Sequence, residues 1–195
     1  MIIFKSLLER IVLFFRKIRN SLFSNNNNVT GRYKSYQPVV LRGAGKIIFG
    51  QDVSFGRNVN IGVVNSPQFF NTYAYIEART VGSSIVFGNN IKVNNGFSVV
   101  SEKRITISDN VLIGTNCQII DSTFHDLSIV KRCCADPNPR EITIKQNVFI
   151  ANNVTILKGV TIGENSVVAT GAVVTKSFPE NVLIAGVPAK IIRQL

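Results

Sequence analysis

From residue 47 onward an aliphatic or aromatic side chain returns every six residues, in five groups of three: Phe49, Phe55, Ile61; Phe87, Val93, Val99; Ile107, Ile113, Ile119; Ile144, Ile150, Ile156; Ile162, Val168, Val174. An amphipathic helix would bring its apolar residues back at spacings of three and four. A sandwich strand would alternate, with turns every eight to twelve residues. Neither describes a six-residue return, and self-similarity on this scale takes precedence over local secondary-structure reading.

The other phases of the hexad carry the physical argument. Two residues after each apolar position, where the repeat runs unbroken, stands a polar residue: Gln51, Arg57, Asn89, Asn95, Asp109, Thr115, Gln146, Asn152, Lys158, Glu164 or Thr170. That phase is expected to face water. Three residues after stands Asp52, Asn58, Asn90, Gly96, Asn110, Asn116, Asn147, Asn153, Gly159, Asn165 or Gly171, each a residue that tolerates left-handed backbone, so that phase is a corner. Four residues after come Val53, Val59, Ile91, Phe97, Val111, Cys117, Val148, Val154, Val160, Ser166 and Ala172, mostly small or branched and suited to a crowded interior. Short strands separated by tight corners predict a three-sided parallel coil of about eighteen residues, with successive coils about 4.8 Å apart. Five such coils fit an all-β chain over residues 47–175, with a C-terminal cap over 176–195.

Residues 1–24 differ in kind. Apolar Ile2, Ile3, Phe4, Leu7, Leu8, Ile11, Val12, Phe14, Phe15, Ile18, Leu22 and Phe23 are interrupted by Lys5, Glu9, Arg10, Arg16, Lys17 and Arg19, too much charge for a bilayer span. The pattern predicts a basic amphipathic helix, which packs on a partner subunit or lies peripherally on the cytoplasmic face of a membrane. Residues 25–46, opening with Asn25–Asn28, are expected to form a linker and cap. The formal charge of +11 points to anionic partners. No zinc-finger, RNP or helix-turn-helix pattern accompanies it, which argues against nucleic acid. One histidine, and three cysteines of which Cys133 and Cys134 are adjacent, fit neither a catalytic zinc site nor a disulfide framework. Cys117 completes the set, and a reducing, cytoplasmic setting with no bound metal is expected.

Breaks in a regular solenoid map to loops, and loops on a rigid scaffold carry chemistry. Three breaks occur: an aromatic-rich excursion at 62–86 with Phe69, Phe70, Tyr73 and Tyr75, a short basic one at 101–104, and a third at 121–141. The third holds the only histidine, His125, together with Asp121, Asp126 and Asp136. A lone histidine in a loop is more often a solvated residue than a base; one that acts as a base needs a partner to orient its ring, and the sequence leaves all three carboxylates open.

The hexads, the run IGTNCQIIDSTFHD with its following loop, the run ITIKQNVFIANNVTILKGVTIG and the terminal GAVVTKSFPENVLIAGVPAKIIRQL together resemble the hexapeptide-repeat acyltransferases, and within them the galactoside, maltose and polysaccharide O-acetyltransferases. The resemblance covers residues 47–195. It implies a left-handed coil and a homotrimer using acetyl-CoA as acyl donor and a saccharide hydroxyl, of a bacterial surface polysaccharide or its precursor, as acceptor. It implies His125 as general base, with Asp136, Asp121 or Asp126 as its partner, and Asn94 as a contact to the acceptor. It assigns Phe149, Ala151, Ala169, Thr175, Lys176, Lys190 and Arg193 to the cofactor, with 176–195 as the CoA-binding tail. Many relatives carry tryptophan where this chain has Phe149. Two alternatives remain at this stage: N-acetylation of a nucleotide-linked amino sugar, and a non-catalytic β-helix that binds without turnover. A metal-dependent γ-carbonic anhydrase type, needing three histidines, is excluded.

Overall fold

The hexad phases become walls and corners of a three-sided prism in the computed structural model, which describes residues 2–22, 24, 29–42, 53–64 and 66–195 and, within the first helix, side chains from residue 9 onward. After helix α1 (Ile2–Leu22), strands β1 (Val29–Thr30), β2 (Tyr33–Ser35) and β3 (Val39–Arg42) make one coil, and β4 (Val53–Phe55), β5 (Val59–Ile61) and β6 (Ala74–Ala78) the next. The third coil is β7 (Ser84–Phe87), β8 (Lys92–Val93) and β9 (Ser98–Ser101); the fourth is β10 (Arg104–Ile107), β11 (Leu112–Ile113) and β12 (Gln118–Ile120). The fifth is β13 (Ile142–Ile144), β14 (Phe149–Ile150) and β15 (Thr155–Ile156), and the sixth β16 (Thr161–Ile162), β17 (Val167–Val168) and β18 (Val173–Val174). Every third strand pairs in parallel, which builds face A from β1 to β16, face B from β2 to β17 and face C from β3 to β18. β19 (Val182–Gly186) extends face B, and β20 (Ala189–Gln194) folds back on it antiparallel and closes the end. The architecture is a left-handed β-helix.

Register explains why the repeat works. Ile107, Ile144 and Ile162 stack directly on face A, as do Ile119, Ile156 and Val174 on face C. These residues are fully buried, as are the small or branched residues two positions before each of them. In the early coils the same column is aromatic: Phe55 stacks on Phe87 with centroids 4.9 Å apart, matching the strand spacing, and Tyr33 caps the column.

The corner phase adopts left-handed backbone at Asn58, Asn90, Gly96, Asn110, Asn116, Asn147, Asn153, Gly159, Asn165 and Gly171. At the A–B corner the asparagines also bond to one another: Asn58 Nδ2 donates to Asn90 Oδ1, Asn90 to Asn110, Asn147 to Asn165, and Asn165 to Asn181. Asparagine is therefore favoured there twice, by backbone tolerance and by a carboxamide that is donor and acceptor at once.

Three expectations are adjusted, and one set of residues falls outside the described structure. The first coil lies at Val29–Arg42, inside the stretch read as linker and cap, so the described coils number six, one more than the hexad groups. Residues 62–86 are not one excursion: β6 occupies Ala74–Ala78, and the loop proper ends at Tyr73. Ala74, Ile76 and Ala78 fill the interior, and alanines at two of these inward positions hid the strand from a pattern built on bulky residues. Third, the polar phase does not always face water, because Asn95 is wholly buried. Its carboxamide donates to the carbonyls of Val63, Ser66 and Pro67 and accepts from Val63 N–H, which fastens the 62–73 loop to the prism. Finally, Phe49, Gln51, Asp52 and the Asn25–Asn28 run lie outside the described residues.

Candidate active site

Where β12 leaves face C, the chain should turn a C–A corner and start β13, but instead inserts residues 121–141. Asp136 holds the base of this insertion. Its buried carboxylate accepts from Lys158 Nζ at 2.6 Å, from Thr123 N at 2.9 Å and from Asn138 N at 2.9 Å. Burial by itself would raise this carboxyl, but the Lys158 ammonium and the two backbone N–H groups outweigh it and hold the group far below the ordinary carboxylate range. Lys158 Nζ also reaches Asn138 O at 3.2 Å and Thr123 Oγ1 at 3.4 Å, so one ammonium joins both ends of the loop.

The clamp runs on to the histidine. Thr123 Oγ1, which receives a hydrogen from Lys158, donates its own to the His125 carbonyl at 2.9 Å. Ser122 Oγ lies between the carboxylates of Glu102 at 2.5 Å and Asp136 at 3.1 Å and accepts the Phe124 N–H. Phe124, the residue just before His125, has φ +59°, a conformation that is uncommon for a bulky side chain and strained by about 1–3 kcal/mol. Its ring is covered by the Arg79 guanidinium 4.4 Å from the centroid, and Arg79 is itself bound to Glu77. The peptide carrying His125 is therefore fixed from three coils and the residue is exposed, while Ser122, Thr123, Phe124 and Leu127 around it line, with Leu157, Lys158 and Thr175, a groove of about 500 Å³.

The other acidic candidates have separate duties. Asp121 is fully buried and accepts from Ser101 Oγ at 2.6 Å, Glu102 N at 2.7 Å and Lys103 N at 3.0 Å, which caps the short 101–104 turn. Asp126 accepts from Ser128 N inside the loop. Among the described residues none of the three carboxylates bonds the imidazole. Cys133 and Cys134 are exposed thiols further along the same loop, whereas Cys117 faces the interior and burial pushes its thiol up.

Residues assigned to acceptor and cofactor fall into three places. Thr175 and Lys176 share the C–A corner with the histidine loop, and Lys176 lies over the Phe178 ring. Asn94, Ala151 and Ala169 occupy the B–C corner, each donating its N–H to the next coil, with Gly114 between Asn94 and Ala151. Glycine is needed at 114 for the next coil to approach, because a Cβ there would meet Asn152 Oδ1 and come within 2.8 Å of the Ala151 backbone. The stack continues to Ala185, opposite Lys190 on β20. Phe149 lies on face B in the column of Leu112, Val167 and Leu183, which Arg193 completes. Asn94 and His125 thus occupy different corners of one chain.

Lys158, Ser122, Thr123 and Arg79 were not singled out from sequence. Lys158 stands in a phase taken as solvent-facing, and its partner lies 22 residues away across an irregular loop. In the same phase Asn89, Asp109 and Asn152 each accept a backbone N–H from the neighbouring coil. That phase is a bonding phase.

The fold and this insertion define a class. A family pattern described as bacterial transferase hexapeptide (six repeats) matches residues 141–176. The chain is 32% identical over 144 residues to a putative lipopolysaccharide biosynthesis O-acetyl transferase, WbbJ, of Escherichia coli K12, spanning 69% of this chain and 74% of that protein. It belongs to the hexapeptide-repeat transferase family. It is also 41% identical over 114 residues to galactoside O-acetyltransferase of Escherichia coli K12, spanning 58% of this chain and 56% of that protein. The chain thus matches little more than half the length of some of these curated relatives. Among solved structures, a hexapeptide-repeat containing acetyltransferase of Vibrio cholerae O1 biovar eltor, complexed with acetyl coenzyme A, superimposes with a TM-score of 0.52 at 25% identity, covering 97% of this chain and 84% of that one.

Proposed function

We propose that this protein is an O-acetyltransferase that moves acetyl from acetyl-CoA to a hydroxyl of a saccharide, with His125 as general base. The observation that carries the proposal is the clamped His125 peptide: strained at Phe124, tied through Thr123 to the Asp136–Lys158 pair, and next in sequence to Thr123, Phe124 and Leu127, which line a groove. Strain held by surrounding contacts concentrates at functional sites. His125 takes the proton of the acceptor hydroxyl, whose oxygen attacks the thioester carbonyl; the tetrahedral oxyanion is met by a backbone N–H, and CoA thiolate leaves. No acyl-enzyme is needed, because holding both substrates together makes the transfer effectively intramolecular.

The cofactor path follows from chemistry. The B–C corner of Gly114, Ala151, Ala169 and Ala185 lets a thin pantetheine arm lie against backbone, and Lys190 and Arg193 at its end suit the nucleotide phosphates. His125 and Thr175 stand at a different corner, so a homotrimer in which the C–A corner of one chain faces the B–C corner of the next reunites them with Asn94. The name of the galactoside relative supports a sugar acceptor, and that of the lipopolysaccharide-biosynthesis relative supports a surface polysaccharide or its precursor.

The test is titration calorimetry with acetyl-CoA, followed by CoA release measured over a panel of glycans. Binding of the donor and acetylation of a glycan hydroxyl are expected. Acetylation of amino sugars alone would make the protein an N-acetyltransferase. No binding of acetyl-CoA would leave a non-catalytic β-helix.

A further inference from the structure

Helix α1 is amphipathic the wrong way round for a helix that only covers its own body. Its inward stripe is Glu9, Leu13, Arg16 and Asn20, one residue per turn, and among the described side chains of the helix this stripe alone is buried or half-buried. Arg16 Nη2 donates to Thr72 O at 2.5 Å, and Asn20 is buried near β3, so the attachment is largely polar. The apolar residues Ile11, Phe14, Phe15, Ile18 and Leu22 form the opposite stripe and remain exposed, Phe14 and Phe15 by 60% and 63%. Exposed Arg10 and Lys17 border one edge of that stripe and Arg19 the other, while the only acidic residue of the helix points inward.

We propose that this outward stripe is a docking surface for an anionic lipid bilayer, on which α1 lies in the plane of the headgroups. Aromatic and aliphatic side chains flanked on both sides by basic ones match an interface that is apolar below and negatively charged above. A second copy of this chain is the poorer complement at this stripe, because it brings the same basic edges against Arg10, Lys17 and Arg19. No helix among the described residues is long and apolar enough to cross a membrane. The stripe therefore anchors and does not span. The docking surface stands apart from the acetyl-transfer proposal and survives its failure.

Flotation of the full chain with vesicles tests it. The protein is expected to float with phosphatidylcholine vesicles containing about a third phosphatidylglycerol and to stay behind with phosphatidylcholine alone. Phe14→Glu/Phe15→Glu should lower the bound fraction by ~10-fold or more, with unchanged far-ultraviolet dichroism and unchanged mass by light scattering. The chain has no tryptophan, so Phe14→Trp provides a single reporter whose emission should shift to the blue on adding anionic vesicles. Absence of both flotation and blue shift overturns the proposal. A fall in mass in the double-glutamate variant also overturns it, since the stripe would then be an interface between copies.

Discussion

Two corners of the same prism solve one problem with different chemistry. At the A–B corner no loop is inserted among the described coils, and a column of exposed asparagines bonds from coil to coil with neutral carboxamides. At the C–A corner the repeat is interrupted, and buried carboxylates hold the irregular chain: Asp121 under the 101–104 turn and Asp136 under the 121–141 loop, the latter paired with Lys158. A regular corner is stabilised by its neighbours above and below. An insertion has no such neighbours, so its backbone N–H groups must find acceptors elsewhere, and a carboxylate can satisfy several at once. At the C–A corner charge is concentrated where periodicity ends, and the proposed chemistry sits there too.

The sharpest way to break this contrast is to remove the histidine. His125→Ala is expected to lower kcat by ~10²–10⁴-fold while leaving the acetyl-CoA dissociation constant within about twofold, as measured by steady-state CoA release and calorimetry. Full activity in that variant would strip the C–A corner of its catalytic role. Next comes the clamp. Lys158→Met leaves Asp136, only 3% exposed, without its counter-ion. A loss on the order of 3 kcal/mol is expected in denaturant unfolding, at the low end for a buried pair because the lysine keeps partial contact with water. Because Lys158 holds the His125 loop through Asp136 and Thr123, the activity of the folded variant should fall in kcat more than in KM. An equal change in both would make Lys158 merely structural.

The same pair sets an acid limb. The folded Asp136 carboxyl lies below its unfolded value, so its ionised form adds stability that is complete above about pH 4 and declines as pH falls toward the folded value. The stability gap between the wild type and Asp136→Asn should therefore be constant from pH 5 to 7 and shrink below about pH 4. A gap that widened on acidification would show that the pair does not carry it.

Much of the prism was legible in the sequence because a six-residue period constrains each position separately: Asn58, Asn110 and Asn165 turn corners as expected, and Val148, Val154 and Val160 fill the core. Ala74 and Ala78 escaped, since a small inward residue leaves no apolar signal even when the strand pairs fully. At the site, His125 could be picked out as the sole histidine in a break of the repeat. The clamp could not, because Lys158 and Asp136 meet only after an irregular loop has folded back, a relation no period encodes. Nor could the orientation of α1 be read, because a helical pattern shows that an apolar stripe exists but not which side meets the body.

The smallest effect probes the ordinary corner. Asn165 has φ +58°, donates to Asn181 Oδ1 and accepts from Asn147 Nδ2, both at 3.0 Å. Asn165→Ala brings a Cβ into left-handed backbone without a carboxamide to offset it, so a loss of about 1–2 kcal/mol is expected. Asn165→Gly removes the same two bonds but suits the backbone, so it should lose about 1 kcal/mol or less. Catalytic parameters should not change in either variant, because this corner shares no residue with the clamp. If Asn165→Gly proved as damaging as Asn165→Ala, the carboxamide ladder rather than backbone tolerance would be what selects asparagine. The two corners would then differ only in the charge of the side chain that bonds, not in the reason one is needed.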